Sequence, residues 1–73
     1  MNSYFFSLHL SYKQCMDYYY GAYTSVQVTE DGGKKIRFPA AYLRPYITAI
    51  GIRGRFRMTV TSDNKFVKLE KVS

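Results

Sequence analysis

The sequence predicts a β-rich α+β fold: a small five-stranded, largely antiparallel bent sheet or barrel, with one short helix over about residues 12–20 after the first strand. Three observations carry this. Apolar and polar residues alternate over Tyr4–Leu10 and again over Ile52–Thr61, the period of a half-buried strand. Between these runs, Tyr12, Cys15, Met16 and Tyr19 switch to helical spacing. Asp31-Gly32-Gly33 and Ser62-Asp63-Asn64 then punctuate the chain with residues suited to turns. The 73 residues hold one domain, residues 1–73, with no repeat, linker or low-complexity stretch. A chain this short buries only about 60% of its unfolded surface, so its strands and helix must share one compact core.

The elements follow in order. In the first strand Tyr4, Phe6, Leu8 and Leu10 face one way and Phe5, Ser7 and His9 the other. Ser11-Tyr12-Lys13-Gln14 has the form of a capping box, in which the Ser hydroxyl and the Gln side chain each satisfy a free backbone N–H of the other. Gly21 suits the residue after the helix because it tolerates positive φ. A second strand runs from Tyr23 to Glu30 with Val26 and Val28 inward, and Asp31-Gly32-Gly33 turns it into a third, Lys34 to Phe38. Pro39 ends that strand and opens a helical turn with Pro at its first position, which Pro45 stops. Tyr46 to Ile50, mostly apolar, is either a core crossing or a recognition loop, and the core crossing is the preferred reading. The longest alternation, Ile52 to Thr61, puts Ile52, Phe56, Met58 and Val60 on one face and Arg53, Arg55, Arg57 and Thr59 on the other. Phe66 to Val72 closes the chain as a fifth strand. The pattern leaves open whether the first two strands pair in parallel through a right-handed crossover.

Eleven Lys and Arg oppose five Asp and Glu, a net charge of +6. The excess is local. Residues 32–62 hold Lys34, Lys35, Arg37, Arg44, Arg53, Arg55 and Arg57 with no acid, while residues 1–31 and 63–73 nearly balance. One cysteine forms no internal disulfide, and with one histidine beside it builds no multi-ligand metal site. No cofactor motif is present. The first residues lack the basic lead and apolar run of a signal peptide, and no apolar stretch approaches the roughly 18 residues of a membrane span. The expected location is the cytoplasm, with Cys15 reduced.

Several strings together are familiar. Tyr4-Phe5-Phe6-Ser7-Leu8, Tyr18-Tyr19-Tyr20-Gly21, Asp31-Gly32 with Ile36-Arg37-Phe38-Pro39-Ala40, Leu43-Arg44-Pro45-Tyr46, Gly51-Ile52-Arg53-Gly54-Arg55-Phe56 and Lys65-Phe66-Val67-Lys68-Leu69-Glu70 span nearly the whole chain. In these the sequence resembles an uncharacterised family of small bacterial proteins, the domain of unknown function 2835. The resemblance implies a small bacterial protein standing alone and supplies neither an activity nor site residues. A looser likeness to cyclic-dinucleotide-binding barrels fails, because their paired-arginine and Asp/Asn-x-Ser-x-x-Gly motifs are absent.

The sharpest constellation is the ladder Arg53, Arg55, Arg57. Alternate residues of a strand stand about 6.6–6.8 Å apart on one face, so three guanidiniums can meet successive phosphates. Lys35 and Arg37 have the same outward phase on the third strand, and Arg44 lies nearby in sequence. A charged strand face also has a plainer use, keeping a sheet soluble and its edges unpaired. Eight tyrosines are interleaved with these cations. Aromatics in that setting stack unpaired bases, but they also fill the core of a domain without tryptophan. Tyr12 and Tyr19 are expected in the core; at least two of Tyr18, Tyr20, Tyr42 and Tyr46 are expected outside. Cys15 falls on the helix's apolar stripe as an inert buried thiol, and no group orients a Cys15–His9 pair as a nucleophile. The five carboxylates form no acid–base pair.

These readings point to a non-enzymatic basic binding domain. It is expected to contact nucleic acid, RNA or single-stranded DNA, through Arg53, Arg55 and Arg57 with help from Lys35, Arg37 and Arg44. The alternative is a homodimeric structural or adaptor protein that binds an acidic protein partner through strand edges and tyrosines.

Overall fold

The computed structural model describes all of residues 1–73. Its elements are strand β1 (Asn2–Leu10), helix α1 (Tyr12–Tyr19), strands β2 (Ser25–Thr29) and β3 (Lys35–Pro39), a 3-10 helix (Ala40–Tyr46), and strands β4 (Ile52–Val60) and β5 (Phe66–Lys71). The chain is mostly β with one short α-helix. No helix is long and apolar enough to cross a membrane.

The five strands do not close into one barrel. They form two antiparallel sheets, one of order β1-β4-β5 and one a β2-β3 hairpin. The longest alternating runs find each other: β1 and β4 pair over nine residues from Asn2↔Val60 to Leu10↔Ile52. That pairing settles the question left open for the first two strands, since β1 has β4 as its neighbour and β2 pairs only with β3. The hairpin touches the larger sheet at its tip, where the Asp31 N–H donates to the Phe5 carbonyl at 2.8 Å.

What joins the two sheets is their common core. Phe6 and Leu8 of β1, Ile52, Phe56, Met58 and Val60 of β4, and Leu69 of β5 face Val26, Ile36 and Phe38 of the hairpin, with Cys15, Ala40 and Leu43 closing the ends. Phe6 stacks on Phe56 at 6.0 Å within the large sheet and on Phe38 of the small one at 5.9 Å. Burying each such ring contributes about 1.5–3 kcal/mol, so this aromatic row is the main tie between the layers. Tyr46 packs edge-on against Phe56 at 5.3 Å, and its hydroxyl donates to the Leu69 carbonyl at 2.8 Å.

The capping box forms as read: the Gln14 N–H donates to the Ser11 hydroxyl at 3.1 Å and the Ser11 N–H to the Gln14 side-chain oxygen at 2.9 Å. Gly21 follows the helix at φ +83°.

Three local expectations are corrected. Tyr12 and Tyr19 are not in the core; each is 49% exposed. In an eight-residue helix only Cys15, at the middle of the apolar stripe, is fully buried, with Met16 and Tyr18 packed partly against the core, and the flanks of the stripe three and four residues from Cys15 overhang it. The helical turn after β3 is not stopped by Pro45 but runs through it to Tyr46, with Pro39 outside as its cap. A 3-10 turn closes through few bonds and loses little to one absent N–H. Tyr46 to Ile50 crosses the core only in its first half. Thr48 and Gly51 exchange backbone hydrogen bonds at 2.9 and 3.0 Å, and this tight turn lifts Ile50 to 77% exposure.

Candidate functional site

The outer face of the β1-β4-β5 sheet carries Arg53, Arg55 and Arg57, as the strand period requires, opposite His9, Ser7 and Phe5 of β1. The three guanidiniums share a face, but two of them are not free. Arg55 grips the Asp31 carboxylate with both terminal nitrogens and also donates to the Ser7 hydroxyl at 3.0 Å. Arg57, opposite Glu70 on β5, donates to one Glu70 oxygen from Nε at 3.1 Å and from Nη2 at 2.8 Å. Lys68 approaches the same oxygen at 3.6 Å. The expectation of an acid-free ladder is therefore corrected: the carboxylates come from the hairpin tip and the neighbouring strand, not from β4 itself.

These pairs shift the acids. The hydrogen bonds from Arg55, aided by its charge, hold the Asp31 carboxyl below its ordinary range. Arg57 does the same to Glu70, with a smaller contribution from Lys68. Asp31 in turn raises the Arg55 guanidinium. Because Asp31 closes the β2–β3 turn, the Arg55 contact is a fastener that holds the hairpin tip across β1.

Arg53 differs. Its Nη2 lies 2.9 Å from His9 Nε2. A guanidinium has only donors, so the imidazole nitrogen is the acceptor of this contact, and no carboxylate answers Arg53. Arg53 thus keeps its full charge.

The remaining sequence-predicted residues lie elsewhere. Lys35 and Arg37 stand on the exposed face of β3, Arg37 donating to the neutral Gln27 side chain at 3.1 Å. Lys34, adjacent to them, donates to the Tyr4 hydroxyl at 3.1 Å and sits 5.2 Å from the centre of that ring. Lys34, Lys35 and Arg37 line a groove of about 200 Å³ whose floor is Tyr4, Met58 and Val60, with Asn64 at its rim. No carboxylate lines it. Arg44 is separate again, its guanidinium 5.5 Å from the Tyr19 ring centre and 3.4 Å from the Tyr19 carbonyl. The six candidate cations therefore divide into three places, and Lys34 joins the groove although the strand period alone did not single it out. Its signal was available in the run Lys34-Lys35-x-Arg37 directly after a turn.

His9 and Cys15 do not meet. His9 is on the outer face against Arg53, whereas Cys15 is 1% exposed in the core, where burial pushes its thiol up despite a backbone hydrogen bond at Ile52.

A family model described as protein of unknown function (DUF2835) matches residues 2–72. Neither the curated proteins nor the solved structures yield a match.

Proposed function

The chain belongs to the DUF2835 family of unknown function, and we propose that it is a small basic binding domain, acting in the cytoplasm, that holds single-stranded nucleic acid by its phosphates. What supports this reading is one observation: Lys34, Lys35 and Arg37 line a groove that no carboxylate lines. Of the eleven cations, only Arg55, Arg57 and Lys68 are in ion pairs. The others are hydrogen-bonded to neutral groups or to none, so their charge is available to a polyanion.

The groove is the centre of the proposed contact, and the arginine ladder is secondary. A phosphate approaching Arg55 or Arg57 must compete with a carboxylate already in place, whereas one approaching Lys35 or Arg37 displaces only water and an amide. Contacts of this kind position a strand without reading its sequence, so base preference is expected to be weak. RNA and single-stranded DNA are both accommodated by this chemistry.

The test is a fluorescence-anisotropy titration of a labelled single strand at low salt. The double variant Lys35→Ser/Arg37→Ser should weaken binding by about tenfold, because two exposed charge contacts of roughly 0.7 kcal/mol each sum to about 1.4 kcal/mol. Arg57→Ser should change it less than threefold, a margin small beside the tenfold step of about 1.4 kcal/mol. Equal binding by wild type and the double variant would overturn the assignment.

A further inference from the structure

The groove lies beside Tyr4, near the start of β1; a second and larger opening lies beyond the other end of that strand. Tyr4 and Leu10 are six residues apart along β1, so the two places are about 20 Å from each other. There α1 and the segment after the 3-10 helix enclose an open cleft of about 590 Å³, walled by Tyr12, Met16, Tyr19, Tyr20 and Ile47, with Arg44 as its one charged residue. Tyr12 and Tyr19, whose helical phase points inward, are left half exposed because they face this cleft.

We infer that the cleft is a binding site for an unpaired nucleotide with a terminal phosphate, the base against the tyrosines and the phosphate on Arg44. Four features of the cleft lead there. Its walls are aromatic: the Tyr19 and Tyr20 rings meet edge to face at 5.4 Å and offer flat surfaces to a flat ligand. Its single cation has no acid to answer it, so the ligand is an anion with one charged group. Arg44 is already aimed, because its guanidinium rests over Tyr19 and spends one donor on the Tyr19 carbonyl, leaving the rest of its planar fork for phosphate oxygens. The volume falls in the range of about 300–1,000 Å³ typical of small-ligand sites, more than a lone ring fills and room for ring, sugar and phosphate.

The cleft does not discriminate among bases through Thr48. That hydroxyl donates to the Gly51 carbonyl at 2.8 Å and accepts from the Ile50 N–H at 3.3 Å, so its one donor is taken. Purines, with the larger face to stack, should bind more tightly than pyrimidines, and the phosphate should matter more than the identity of the base. The chemistry is shared by a free nucleotide and by the 5′ end of a strand. The site stands independently of the basic groove.

An amide-resolved NMR titration of the intact chain tests this with adenosine monophosphate, adenosine, inorganic phosphate, and an adenine octamer with and without a 5′-phosphate. The monophosphate should move the amides of Tyr12, Tyr19, Tyr20 and Ala49 and bind at least about tenfold more tightly than adenosine or phosphate alone. Arg44→Gln should erase the preference for the monophosphate over adenosine, and Tyr20→Ala, removing a ring that is 79% exposed, should weaken both by about tenfold. Tighter binding of the phosphorylated octamer at the cleft identifies a strand end as the source of the ligand; tighter binding of the monomer identifies a free nucleotide. The inference is overturned if phosphate alone matches the monophosphate or if nothing moves at the cleft. It is also overturned if light scattering shows a dimer whose dissociation on dilution moves these same amides, making a second copy the occupant. Shifts confined to Lys34–Arg37 would retain the groove and remove the cleft; shifts at the cleft with no strand binding at the groove would do the reverse.

Discussion

Gly51 is held at φ +104° with its backbone against Leu10 and Ser11, and a Cβ there would enter the Leu10 carbonyl and come within 2.8 Å of the Ser11 carbonyl carbon. Gly21 is also at positive φ, but open space surrounds it. The two glycines therefore separate strain from collision. Gly21→Ala should cost about 1 kcal/mol, the penalty of a left-handed conformation alone. Gly51→Ala should cost more than about 3 kcal/mol, since backbone must move as well. Urea denaturation of both variants checks the ordering. At Asp31 the expectation concerns pH. Its carboxyl titrates below the ordinary range in the folded chain because Arg55 holds it ionised, so the unfolded chain binds its proton first as pH falls. The contact's contribution is present above about pH 4 and is lost as pH drops through the lowered value. Asp31→Asn should accordingly lower the neutral plateau slightly and leave stability at the acid end nearly unchanged, so that the acid limb of a stability-against-pH curve flattens. A variant whose acid limb keeps the wild-type slope would show that the Arg55 contact is not linked to folding.

At the scale of elements, the helix was the most legible part of the sequence. Its start was written in Ser11 and Gln14 and its end in Gly21, all local signals between residues at most four apart or at a single backbone angle. Ser11→Ala should lower stability by about 1 kcal/mol, read from the same denaturation curves, because the Gln14 N–H at the helix start loses the hydroxyl that accepts from it. Strand phase was equally plain: Phe6, Leu8, Phe56 and Met58 are buried as their alternation required. Pairing was not, because alternation says which way a side chain faces and nothing about which strand lies beside it. The β1–β4 register joins residues 42 to 58 positions apart, and only that register brings Arg53 to His9. The same gap hid the carboxylates of the arginine ladder. Asp31 reaches Arg55 because the hairpin tip docks on β1, and Glu70 reaches Arg57 because β5 runs antiparallel beside β4. Tyr12 and Tyr19 failed for a different reason: helical phase was correct, but phase does not report how far the core extends under a two-turn helix.

Over the whole molecule, charge is the property that sequence and structure describe most differently. The acid-free run from residue 32 to residue 62 gathers the charge in one stretch of sequence, whereas the fold divides it among a sheet face, a groove and a cleft. On the sheet face the positive charge serves cohesion, tying hairpin to sheet and strand to strand. In the groove it is uncommitted, and this division is the basis for assigning nucleic-acid contact to β3 instead of β4. The direct measurement is the salt dependence of single-strand binding. If Lys34, Lys35 and Arg37 each neutralise one phosphate, the logarithm of the binding constant should fall against the logarithm of salt concentration with a slope of about −2.1. Lys35→Ser/Arg37→Ser should bring the slope to about −0.7, and Arg55→Ser should leave it near the wild-type value. A slope near zero in the wild type, or one that collapses with Arg55→Ser and not with the β3 variant, would contradict the account.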